Sequence, residues 1–186
     1  HSAGHGIHSP FIYHLVTGSF RNKIDPAIVC KVETIRKKNL SDRRKIEVLD
    51  LGAGSSVMKS NERRVSDIAR YSSVPQKYGV LLASMAAEFG KNGILELGTS
   101  LGISTMYLAM GASGSRVFSV EGCPATANLA RENFNNAGIG NITLMNGSFD
   151  DMLPEVKKKD IRPGLVFIDG DHREGPAIRY FNEVAC

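Results

Sequence analysis

The sequence is poor in cysteine. Cys30, Cys123 and Cys186 are odd in number, far apart and in no Cys-x-x-Cys pair. That argues against a disulfide framework or a zinc site, and predicts reduced thiols and a cytoplasmic location. No apolar run approaches the ~18 residues of a membrane span, so no membrane role is expected. His1 to Pro10 lacks a basic stretch followed by an apolar one, so no secretory signal is expected either. There is no internal repeat and no low-complexity tract. His1, His5, His8 and His14 have no acidic or cysteine partner nearby, and read as a terminal segment rather than a metal site.

Charge is not strongly one-sided, at +4. Basic residues fall in short clusters: Arg36-Lys37-Lys38, Arg43-Arg44-Lys45, Arg63-Arg64 and Lys157-Lys158-Lys159. These read first as solvated faces and helix ends. Contacts to nucleic-acid phosphates are the second reading. No interleaved aromatic pattern supports that, so nucleic acid is a disfavoured partner.

The chain has 186 residues, enough for one domain with a real core. Its pattern divides in two. Residues 1–70 read as an irregular, helical extension. Phe11 to Val16 forms a short helix with Ser9 as N-cap and Pro10 at its first position. Ile28 to Lys38 forms another, with Ile28, Val32 and Ile35 at helical spacing. Residues 71–186 alternate regularly. Pro75 to Phe89 is a helix ended by Gly90. Strands are expected at 94–97, 116–120, 141–145 and 165–168, and helices at 103–110, 124–137, 152–158 and 175–185. Short apolar strands separated by helices predict an α/β fold, a doubly wound Rossmann-like parallel sheet covered on both faces.

The chemistry gathers at strand ends. Glu96-Leu97-Gly98-Thr99-Ser100-Leu101-Gly102 sits where the first of these strands hands over to a helix. Glycine there allows a tight turn and lets a ligand approach the main chain. Glu121 ends the second strand, where a carboxylate can accept both ribose hydroxyls of a nucleoside. Gly122 follows it. Gly147, Ser148 and Phe149 follow the third strand; in a sheet of this winding the first three loops converge on one crevice. Ser148 and Phe149 are candidates to hold an adenine ring, and Phe149 serves equally well as a core residue. Asp169-Gly170-Asp171-His172 ends the fourth strand. Asp169 and Asp171 also suit a purely structural role, capping the next helix.

Residues 75–185 resemble the O-methyltransferases related to catechol O-methyltransferase, a group of class I S-adenosylmethionine-dependent methyltransferases. The resemblance is carried by Pro75 to Leu82, Ile94 to Thr105, Val120-Glu121, Gly147-Ser148-Phe149 and Val166 to His172. It implies S-adenosylmethionine as cofactor, with Glu96, Gly98, Thr99, Ser100, Gly102, Glu121, Gly122, Gly147, Ser148, Phe149 and Asp169 in its site. It implies that Asp169 binds Mg²⁺, for which a carboxylate is the right donor. It places His172 where the family's general base is a lysine, and imidazole can do the same proton removal. Asp169 and His172 are the catalytic candidates, and a small hydroxylated molecule is the expected substrate.

A second glycine motif, Val48 to Ser55, is rejected as the cofactor loop. The polar run Met58 to Arg64 follows it, with no second strand ending in an acid. Val48 to Ser55 is expected to be a connecting turn or part of a lid over the substrate. Cys123 reads as a small packing residue. Against the family's seven-stranded sheet, four core strands read as a chain truncated after the fourth. That strand would then be an unpaired edge and a route to a homodimer. Three rivals stand beside this reading. An RNA or protein methyltransferase is favoured only by the basic clusters, and no Asn/Asp-Pro-Pro-Tyr/Phe motif is present. A nicotinamide-dependent oxidoreductase would need G-x-G-x-x-G, a spacing Gly98 to Gly102 lacks. A catalytically inactive nucleoside-binding fragment is the third.

Overall fold

The structure is a computed structural model that describes residues 9–49, 61–159, 161–171 and 173–185. Helix α1 (Pro10–Thr17) starts at Ser9, whose side chain accepts the Ile12 N–H. Helix α2 (Pro26–Ser41) starts at Asp25, which caps the Ala27 N–H, with proline in the first turn. Strands β1 (Lys45–Glu47) and β2 (Glu62–Arg64) pair antiparallel, and α3 (Val65–Tyr71) and α4 (Gln76–Phe89) follow.

The remainder alternates: β3 (Ile94–Leu97), α5 (Ile103–Gly111), β4 (Val117–Glu121), α6 (Pro124–Ala137), β5 (Ile142–Asn146), α7 (Phe149–Lys158), β6 (Leu165–Ile168) and α8 (Glu174–Ala185). These last four strands form a parallel sheet in the order β5-β4-β3-β6. The chain steps outward from β3 to β5, then crosses back to lay β6 on the other side of β3. The order therefore reverses between β3 and β6, and a sheet wound this way opens a crevice at the carboxyl ends of those strands.

Strand alternation assigns the two faces. Ile94 and Val117 pack with Met106, Tyr107, Ala130 and Phe134 on the side of α4, α5 and α6. Leu95, Leu97, Phe118 and Val120 pack with Leu153, Val156 and Tyr180 on the side of α7 and α8. Every residue of β3 is buried, as expected for a central parallel strand. Val32 and Ile35 of α2 belong to the same apolar cluster as Tyr107 and Ala83, so the N-terminal helix shares the core of the sheet.

The strand and helix positions in 75–185 agree with the sequence pattern to within about three residues. The largest shift is α7, which begins at Phe149 because Ser148 caps it, its hydroxyl accepting the Asp151 N–H at 3.2 Å. The β1–β2 hairpin and α3 were not expected. Each strand has three residues, two of them charged in β1 and all three in β2, which shows no period. Their order comes from partners distant in sequence. Lys45 bonds Glu62 at 2.7 Å, and Val48, Val65 and Ile68 pack with Leu101, Cys123 and Leu129.

Candidate cofactor-binding site

The site is built on a tight turn. Gly98 has φ +105°, and a Cβ there would lie 2.5 Å from the Asp169 carbonyl oxygen. Glycine thus lets the turn after β3 cross directly over the end of β6. The Gly98 and Thr99 N–H groups donate to Val120 O at 3.0 and 3.3 Å, tying the turn to β4. Gly102, at φ +78°, brings the start of α5 against the Phe134 ring, where any side chain would collide.

Glu121 is fixed at this turn by both oxygens. Oε2 accepts the Ser100 N–H at 2.7 Å, and Oε1 accepts the Cys123 N–H at 2.8 Å. The Glu121 main-chain oxygen accepts from the Gly147 N–H at 3.0 Å and from Asn146 Nδ2 at 2.6 Å. The ends of β4 and β5 are thereby joined.

A cavity of about 1060 Å³ lies over these strand ends. Gly98, Thr99, Ser100, Glu121, Gly122, Ser148, Phe149 and Asp169 all line it. Phe149 sits beside Gly170 and meets Tyr180 edge-on, with centroids 5.3 Å apart. It is half-buried, so one face packs while it also borders the cavity. Ser148 lines the cavity while capping α7, and its hydroxyl also contacts Asp151 Oδ2 at 2.5 Å. Asp169 is exposed at the cavity, its N–H donating to Leu97 O at 2.8 Å. Asp171, at φ +48°, makes a two-point pair with Arg173, both contacts 2.7 Å, which holds its carboxyl below the ordinary range.

Three candidates stand outside the cavity lining: Glu96, Gly102 and Gly147. Glu96 is sealed behind the turn on the α5 side of the sheet. Its oxygens accept from Ser104 (2.6 Å), Thr105 (2.5 Å) and Ser119 (2.6 Å). Ser119 in turn bonds Thr99, which faces the cavity. Burial pushes the Glu96 carboxyl up to about 7, against the pull of those hydroxyls and with the help of the Asp169 charge. His172 and residues 50–55 of the Val48 to Ser55 motif lie outside the described residues. So do His1, His5 and His8; His14 bonds Glu88 at 2.6 Å.

Sequence reasoning missed half of the cavity wall. Tyr71, Val74, Pro75, Tyr78 and Leu82 line it from α3, α4 and the segment between them. Tyr71 and Val74 precede the recognisable motifs, Pro75, Tyr78 and Leu82 lie within one, and their spacing says nothing about a shared cavity. Arg179 was also missed; it pairs with Asp150 at 2.9 Å and lies 5.0 Å over the Tyr180 ring. Cys123 is buried, and its sulfur accepts the Leu49 N–H at 3.3 Å, linking the hairpin to the site. Among the described residues, no three His, Cys, Asp or Glu side chains gather as a metal site.

Residues 95–185 match a family described as a methyltransferase domain. A catechol O-methyltransferase of Niastella koreensis is 31% identical over 112 residues, 59% of this chain and 50% of that protein. One of Mycobacterium tuberculosis is 34% identical over 106 residues, 56% of this chain and 47% of that protein. The chain thus spans about half the length of these curated relatives. An O-methyltransferase from Bacillus cereus in complex with SAH shares the fold with TM-score 0.58 and 22% identity, over 92% of this chain and 64% of that one. TomG from Streptomyces achromogenes, in complex with SAM, does so with TM-score 0.53 and 23% identity, over 92% and 64%.

The sheet order and glycine turn are Rossmann-like, and residues 95–185 are similar to a methyltransferase domain. Relatives similar to this region include proteins named catechol O-methyltransferase. Among the described residues, no helix is long and apolar enough to cross a membrane.

Proposed function

We propose that the chain binds S-adenosylmethionine across the ends of β3, β4 and β5 and methylates a hydroxyl oxygen of a small molecule. The observation that carries this is the Glu121 carboxylate, held at the glycine turn and open to the same cavity as Phe149 and Asp169. Glu121 accepts the ribose hydroxyls, and Ser148 and Phe149 border the adenine. The main chain at Gly98 to Ser100 follows the rest of the cofactor.

When bound, S-adenosylmethionine supplies an electrophilic methyl group on a sulfonium. The protein has then to place an acceptor oxygen in line with that methyl and take its proton. His172 follows Asp169-Gly170-Asp171 in sequence, and is assigned the proton or the acceptor hydroxyl. Asp169 offers one carboxylate to a divalent cation. The described residues do not fit such an ion further, because Asp171 is engaged by Arg173, and a hard cation takes about six oxygen ligands. No step is assigned to a cation.

Calorimetric titration tests the reading. S-adenosylmethionine and S-adenosylhomocysteine are expected to bind, and NAD is not. Glu121→Ala is expected to weaken binding about 100-fold, since charged hydrogen bonds are worth about 1.5–3 kcal/mol each. Unchanged affinity in that variant would remove Glu121 from the site. Cofactor binding without turnover of any hydroxylated acceptor would favour the inactive nucleoside-binding alternative. Salt-sensitive RNA binding would favour the nucleic-acid alternative.

A further inference from the structure

We propose that Arg36, on α2 and outside the matched methyltransferase region, is a positioning residue that sets the cavity-lining segment Ser72–Pro75 and thereby the affinity of the site. It does not line the cavity itself. Its guanidinium reaches across from α2 and donates from Nη2 to the Val74 carbonyl at 2.5 Å. Val74 precedes Pro75, and a residue before proline is held extended, out of the helical ladder of α4. Its carbonyl therefore needs a partner from elsewhere, and Arg36 supplies a charge-assisted one.

The guanidinium is itself held in place. Its Nε donates to both oxygens of Glu33, at 3.1 and 2.9 Å. Tyr107 of α5, fully buried, donates its hydroxyl to Glu33 Oε1 at 2.9 Å. The Tyr107 ring lies against Gly79 of α4, where any side chain would collide. Arg36 and Glu33 are only 12% and 17% exposed, so the pair is shielded and its geometry is not an incidental surface contact. The chain of contacts runs from α5 through α2 to the segment, and ends on residues that line the cavity. The other end of the segment is fixed where the Ser72 N–H donates to Ile68 O at 2.8 Å. A flat fork that serves Glu33 and Val74 together is a task for arginine; a lysine has one nitrogen at its tip.

The inference rests on the cofactor reading for its ligand measurement only, so two readouts are used. The first is hydrogen exchange of the 72–79 backbone in the ligand-free protein; the second is S-adenosylhomocysteine affinity by calorimetry. Arg36→Met is expected to speed exchange in 72–79 selectively and to weaken binding about tenfold. Arg36→Lys, which keeps the charge beside Glu33, is expected to fall between, and it serves alone if the methionine variant does not fold. Tyr107→Phe removes a donor from Glu33, one step back along this chain, and is expected to move both readouts in the same direction but by less than Arg36→Met. Wild-type exchange in 72–79 of the folded arginine variants overturns the proposal, as does faster exchange spread evenly over the whole chain. Wild-type protein that binds no S-adenosylhomocysteine would defeat the cofactor reading instead, and the exchange arm would still decide the role of Arg36.

Discussion

Glu96→Gln isolates the titration of a carboxyl sealed behind the glycine turn. Glu96 is fully buried, and burial raises its carboxyl from 4.5 to about 7. The folded chain therefore keeps this proton over a range where the unfolded chain has lost it. For an acid shifted in this direction, the stabilisation is complete below 4.5 and is lost as pH rises towards about 7. Each pKa unit corresponds to about 1.4 kcal/mol, so the full shift is worth on the order of 3 kcal/mol. Glutamine is close in shape, does not titrate, and can meet the hydroxyls of Ser104, Thr105 and Ser119, which rotate to accept or donate. The stability of wild type minus that of the variant should then fall by about 2–3 kcal/mol between about pH 5 and about pH 8. Urea denaturation of both proteins at each pH measures it, and the other titrating groups cancel in the difference. A difference that stays flat across this range would refute the argument, and with it the claim that Glu96 is held protonated in the fold.

Gly98→Ala should destabilise the protein by about 2 kcal/mol or more and abolish S-adenosylhomocysteine binding, because its φ is positive and its Cβ would press on the Asp169 carbonyl. Gly52→Ala is expected to retain binding; thermal melts and calorimetry check both, and the opposite pattern would transfer the cofactor loop to the earlier motif. His172→Ala should lower turnover far more than cofactor affinity, and turnover equal to wild type would remove His172 from the mechanism.

The parallel sheet was legible because its cues are local. Ile94-Leu95-Glu96-Leu97 is apolar and short, Gly138 ends α6 in the left-handed conformation, and Gly98 marks a turn that other residues cannot make easily. That Glu121 borders the cavity was legible because its place at a strand end implies its direction. Tyr78 and Val74 were not, because a residue's side of a cavity depends on how two distant helices lie. The β1–β2 hairpin was hidden for a related reason: its strands are charged and three residues long, and their pairing depends on contacts to α6 and Cys123.

The sequence by itself determined the alternation of strand and helix, the glycine turn and the acid that faces it. Each follows from backbone stereochemistry and hydrophobic period within a short stretch of chain. Only the tertiary structure decided which residues close the cavity, that Glu96 lies behind its wall, and that Arg36 reaches Val74. Those outcomes depend on burial and on hydrogen bonds between residues far apart in the chain, and neither is encoded in spacing.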